Sequence, residues 1–191
     1  MFFSLRELID AIIMIFAVGF IFSAYLKRYR PITIHEFYFG RIHWRDLRFA
    51  IAVTAPAIIL HELAHKFTAL SFGLTATFHA AYLWLLIGII LRLFGSSIIF
   101  FVQAYVSITG TANNLAYALI ALAGPLTNLI IWLISAHALK KASHEKIPFF
   151  HLTKEINKFL FIFNMLPIPG FDGFSGFDGF QVYANLIKFL F

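Results

Sequence analysis

The stretch that most limits what this chain can become is residues 51–73, an apolar run of helical length with His61-Glu62-Leu63-Ala64-His65 in its second half. Four residues of α-helix turn through about 400°, so His61 and His65 stand one above the other, about 6 Å apart, with both imidazoles on one side. Two nitrogen ligands can therefore meet one metal ion. Glu62 is rotated by about 100° from His61, near enough to serve as a base beside that metal and too far round to be a ligand on the same face. This is the spacing of a zinc hydrolase. The competing account, a pair of histidines satisfied within a core, needs polar partners that Ile58, Ile59, Leu60, Leu63 and Phe67 do not supply. Ionisable groups in a lipid-compatible segment cost on the order of several kcal/mol, and they mark sites that face the interior of a bundle.

The surroundings of that helix are equally apolar. Of 191 residues, 61% are hydrophobic and 13% charged, against about 25% charged in an ordinary soluble domain, and the mean hydropathy is +0.84. Such a chain is expected to be an integral, multi-pass membrane protein, most naturally of the cell membrane. Its length accommodates five to six spans of about 20 residues and little else. The expected fold class is an all-α polytopic bundle with short membrane-associated β-strands. It forms one domain over 1–191, with an anchor helix and surface hairpin in 1–49 and a catalytic core in 50–191. Cysteine is absent, so a metal must be held by histidine and carboxylate. The net charge of +6 does not point to nucleic acid, because the basic residues sit in connections between apolar segments, where they suit lipid headgroups. The 25 phenylalanines are expected to face lipid.

Taken in order, residues 8–26 form a long first span ending in Lys27, Arg28 and Arg30, expected to be a retained anchor rather than a cleaved signal. Residues 32–44, rich in β-branched and aromatic side chains around Gly40, predict a surface hairpin. Its His35, Glu36 and His43 are read as an exposed polar face rather than a second metal site. The metal-motif span runs from Arg45 to Gly73, with Pro56 placed to kink it. Residues 74–82 and 98–109 alternate like strands, and irregular backbone at membrane depth is tolerated only where protein or a wet cavity surrounds it. His79, in the first of these, is a candidate partner of the site. Residues 83–94 predict a short helix. Gly110-Thr111-Ala112-Asn113 opens, with capping chemistry, a long span over 114–139 that carries Gly124-Pro125-Leu126-Thr127-Asn128, where small residues admit a neighbouring backbone and Pro125 leaves one carbonyl without its usual partner. Asn128 is either interhelical glue or part of the site. Residues 140–158 read as a polar, basic connection, 156–166 as an apolar stretch broken at Pro167-Ile168-Pro169, and 181–191 as a closing helix.

A catalytic zinc usually takes three protein ligands. Outside the termini and polar connections, the remaining acidic residues are Asp172 and Asp178, in the near-repeat Gly-Phe-Asp-Gly-Phe-Ser-Gly-Phe-Asp-Gly-Phe. The Pro-x-Pro break before them unwinds the helix where a carboxylate can turn inward.

At these residues the chain resembles the site-2 proteases, intramembrane zinc metalloproteases. The resemblance lies in His61-Glu62-Leu63-Ala64-His65, in Asn164-Met165-Leu166-Pro167-Ile168-Pro169-Gly170-Phe171-Asp172-Gly173, and in Gly124 to Asn128 between them. It extends from about residue 50 onward and suggests a minimal form without added soluble domains. It implies one zinc per chain held by His61, His65 and Asp172, with Asp178 the alternative third ligand. It further implies Glu62 as general base and Asn164 as a polar group toward the substrate or its tetrahedral intermediate. The implied activity is hydrolysis of peptide bonds in or near transmembrane segments of membrane-protein substrates. A zinc-binding membrane transporter or sensor built on the same ligands is the alternative, and it leaves Glu62 without a task.

Overall fold

The computed structural model describes residues 3–26, 44–94, 104–169 and 177–191. The expected hairpin over 32–44, Asp172 and the Pro-x-Pro-Gly break beyond Pro169 fall outside these residues, apart from Trp44. The described chain is mostly helical, with one small sheet. In order it contains α1 (Leu5–Leu26), α2 (Trp44–Ser71), β1 (Thr75–His79), α3 (Tyr82–Leu93), β2 (Tyr105–Thr109), α4 (Asn114–Leu139), a 3-10 turn at His144–Lys146, α5 (Ile147–Asn164) and α6 (Asp178–Leu190). Two helices among the described residues, α2 and α4, are long and apolar enough to cross a membrane.

The chain divides into two compact units. The first comprises residues 1–58 and 79–105, and so holds α1, the first part of α2 and α3. Within it α1 packs on α3. Gly19 lets α1 lie close to α2, since a Cβ there would fall 2.3 Å from Ile51 Cγ1. Asp10, fully buried on α1, accepts hydrogen bonds from the Tyr82 hydroxyl at 2.5 Å and the Ala80 amide at 3.4 Å. His79 has its Nδ1 4.0 Å from that carboxylate and its ring stacked on Tyr105. His79, a candidate for the metal site in the sequence, thus has its described partners in Asp10 and Tyr105.

The second unit, residues 59–78 and 106–191, holds the second part of α2, nearly all of the two-stranded β1-β2 sheet, and α4 to α6. Helix α4 is its centre, packed against both α5 and α6. Its start follows from Asn113, whose side chain accepts a hydrogen bond from the Ala116 amide at 2.8 Å and so satisfies one of the helix's free donors. Ala121, Gly124, Pro125 and Asn128 recur at helical spacing and are all buried, forming a stripe of low relief that other helices approach closely.

Residues 140–158, read from sequence as a connection, are mostly helix. After the short turn at His144–Lys146 the chain enters α5 with Pro148 in its first turn, where a missing N–H costs nothing. Leu152, Asn157, Leu160 and Asn164 are buried along α5, while Lys154 and Glu155 pair with each other at 2.7 Å on its outer side. Of the charged residues that suggested a connection, Lys154, Glu155 and Lys158 lie within amphipathic α5, whereas Lys140, Lys141, Glu145 and Lys146 precede it.

Candidate metal centre

Three side chains of the second unit converge on one point. His61 and His65 come from α2 and Asp178 from the first turn of α6, and one ligand atom from each lies within 4.8 Å of the others. His61 Nε2 is 3.0 Å from His65 Nε2 and 3.1 Å from Asp178 Oδ2, and His65 Nε2 is 3.5 Å from the same oxygen. Ligands about 2.0 to 2.1 Å from a tetrahedral zinc stand about 3.3 Å apart, so these spacings fit that ion. The two histidines are 6% and 8% exposed, which keeps competing water to a minimum.

The hydrogen bonds behind the rings decide which nitrogens face the centre. His61 Nδ1 lies 2.6 Å from Asn128 Oδ1, and His65 Nδ1 lies 2.7 Å from the carbonyl oxygen of Ile120. Both partners accept, so both Nδ1 atoms carry the proton and both Nε2 atoms present a lone pair. Two lone pairs and a carboxylate oxygen within 3.5 Å repel one another, and a cation between them turns the repulsion into attraction. That donor set, rather than clustering alone, makes this a candidate metal centre.

Gly124 keeps the centre open. A Cβ on this residue would lie 2.3 Å from His65 Nε2 and 2.6 Å from His61 Nε2, so only a glycine leaves room for both rings here. Pro125, next to it, leaves the Ala121 carbonyl without its helical donor, yet His65 bonds the carbonyl one residue earlier. The proline shapes the helix and does not supply the ligand's partner. Asp178 is positioned by a second close approach: a Cβ on Gly179 would fall 2.3 Å from the Met165 carbonyl oxygen, so the absence of a side chain lets the start of α6 press against the end of α5.

Of the residues singled out in the sequence, the structure gathers His61, His65 and Asn128 with Asp178, the alternative third ligand. Glu62 is buried on α2 beside them, 7% exposed, and Asn164 is buried at the end of α5. Asp172 lies outside the described residues, and His79 belongs to the first unit. One participant was not foreseen. Asn157, within α5 and fully buried, accepts a hydrogen bond at 2.9 Å from the Asn128 amide. Its signal in the sequence was present: Asn157, Leu160 and Asn164 fall at i, i+3 and i+7, one face of a helix.

Comparison with known proteins places this centre in context. No family model and no solved structure matches the chain. A protein of Methanocaldococcus jannaschii whose curated name is "putative zinc metalloprotease" is 36% identical over 181 residues, covering 90% of this chain and 83% of the relative. Similarity of that extent shows that the chain belongs to the zinc metalloprotease family this relative represents.

Proposed function

We propose that the chain is an intramembrane zinc endopeptidase that hydrolyses peptide bonds in or near the transmembrane segments of protein substrates. The observation that carries this reading is the convergence of His61 Nε2, His65 Nε2 and Asp178 Oδ2, next to Glu62, on a helix of membrane-spanning length and apolarity. The site-2 protease resemblance of its motifs points the same way. Bound there, zinc supplies Lewis acidity, polarising a scissile carbonyl and making water more acidic. Glu62 takes the proton of the attacking water on its carboxylate and passes it to the leaving amine. Asn164 takes the role that the resemblance assigns, a donor toward the substrate carbonyl oxygen.

Membrane embedding draws support from where the apolar surface lies. Leu119, Leu126, Ile130, Leu133 and Ile134 of α4 are all at least 43% exposed, a row that water would penalise and acyl chains would not. At 22 residues, α1 reaches about 33 Å, the thickness of a hydrocarbon core, and we count it among the spans of a multi-pass protein. The substrate is a membrane protein whose helix must unwind at the cut, and each freed backbone group then costs several kcal/mol, roughly, unless it is paired. A two-stranded sheet leaves one side of each strand unpaired by the other, and β1 or β2 is the natural partner for the extended segment.

The test is Glu62→Gln, in which the amide keeps the shape of the side chain but cannot accept the proton. The variant is expected to bind zinc as wild type does and to cut a membrane-spanning peptide about 10² to 10⁴ times more slowly. Undiminished cleavage would remove Glu62 from the chemistry. Zinc binding with no cleavage by the wild type either would favour transport or sensing.

A further inference from the structure

The bond that fixes His61 does not end at Asn128. The Asn128 amide nitrogen donates to Asn157 Oδ1 at 2.9 Å, and the Asn157 amide nitrogen donates to the main-chain carbonyl oxygen of Thr153 at 2.8 Å. The three side chains belong to α2, α4 and α5, and all lie in the second unit. Both asparagines are 0% exposed.

A carboxamide can be turned over, exchanging its donor and acceptor ends at almost no steric cost, so an isolated Asn128 could offer His61 either end. The carbonyl of Thr153 removes that freedom. A carbonyl only accepts, so Asn157 must aim its nitrogen at it and its oxygen at Asn128. Asn128 must then aim its own nitrogen at Asn157 and its oxygen at His61. His61 in turn must carry its proton on Nδ1 and leave Nε2 bare. Were Asn128 to turn over, its amide nitrogen would face His61 Nδ1, the imidazole proton would move to Nε2, and one ligand would be lost.

We propose that Asn157 is a positioning residue of the metal centre: through Asn128 it sets the tautomer of His61, with the backbone of α5 as the fixed end of the relay. This rests on the metal-centre reading and adds to it a residue that touches neither metal nor substrate.

Two substitutions separate this role from packing. Asn157→Leu keeps the volume and removes the acceptor. Asn157→Asp keeps an oxygen for the Asn128 amide whether or not it is protonated, and when protonated also keeps a donor for Thr153. A residue that merely fills space in an apolar bundle tolerates leucine better than a buried acid; the relay requires the opposite order.

Zinc affinity of the full chain in detergent, measured by chelator competition, is expected to fall about tenfold in Asn157→Leu and to stay within about threefold of wild type in Asn157→Asp. Helix content of the metal-free variants serves as the folding control. Wild-type affinity in the leucine variant, or an aspartate variant no better than the leucine one, overturns the proposal. Should the leucine variant not fold, nitrogen NMR of labelled histidine in the metal-free wild type still decides: a neutral His61 with its proton on Nδ1 supports the relay, and a neutral His61 with its proton on Nε2 overturns it. A wild-type chain that binds no zinc overturns the metal centre, and the relay with it, whereas normal zinc binding in Asn157→Leu overturns the relay alone.

Discussion

At Gly124 two physical demands oppose each other. Alanine in place of glycine inside a helix is ordinarily favourable by about 0.5 to 1 kcal/mol, yet here the added methyl would sit 2.3 Å and 2.6 Å from the two Nε2 atoms. Gly124→Ala is therefore expected to keep the helix content of the metal-free protein, to lower its thermal stability because the buried imidazoles must shift, and to lower zinc affinity at least about tenfold. Circular dichroism and chelator competition on the same preparation check both halves; unchanged zinc affinity would mean that the space beside the histidines is not the metal's. The pair His61 and His65 was legible in the sequence because a four-residue spacing on a helix fixes side-chain direction without knowledge of the rest of the fold. The role of Gly124 was not, since a glycine in a string of small residues has many possible neighbours. Asn157 was hidden by Lys154, Glu155 and Lys158, which share its segment and give it the composition of a polar connection.

Among the described residues, the carboxylate that reaches the two histidines is set by how elements seat. Asp172 and Asp178 stand in nearly identical sequence, each between Phe and Gly, and only the Pro-x-Pro spacing favoured the first. In the structure, Asp178 opens α6, and Gly179 allows that end of the helix to meet the Met165 backbone, which brings the carboxylate to the histidines. Asp178→Ala is expected to lose zinc, and Asp172→Ala to keep about one zinc per chain, by metal analysis of the purified proteins. The reverse result would reassign the ligand. Among the elements, α2 and α4 were legible almost to the residue, because long apolar runs with a capping Asn113 or a closing Gly73 leave little choice. Helix α5 was not, because an amphipathic helix with mixed charges has the composition of a loop until the partner that buries Leu152, Asn157 and Leu160 is known.

For the molecule as a whole, the proposed function has one consequence: a substrate brings its peptide bond to the buried centre from within or beside a bilayer, the setting that the exposed apolar row on α4 favours. Helices with Gly, Pro or Asn near the cut unwind at lower cost than stiff ones, so a substrate in which these are replaced by Leu or Ala is expected to be cut more slowly at equal length. Composition pointed to a membrane setting, and two helices among the described residues are long and apolar enough for one. The relay of asparagines behind the metal was not legible, because it depends on three helices meeting. The central claim is tested most directly by reconstituting the zinc-loaded chain in lipid vesicles with a single-span peptide and locating the products by mass spectrometry. The account predicts a cut within or immediately beside the apolar segment, abolished by a zinc chelator and restored by added zinc. An intact peptide beside a fully zinc-loaded enzyme, or cleavage that persists when the zinc is gone, would contradict it.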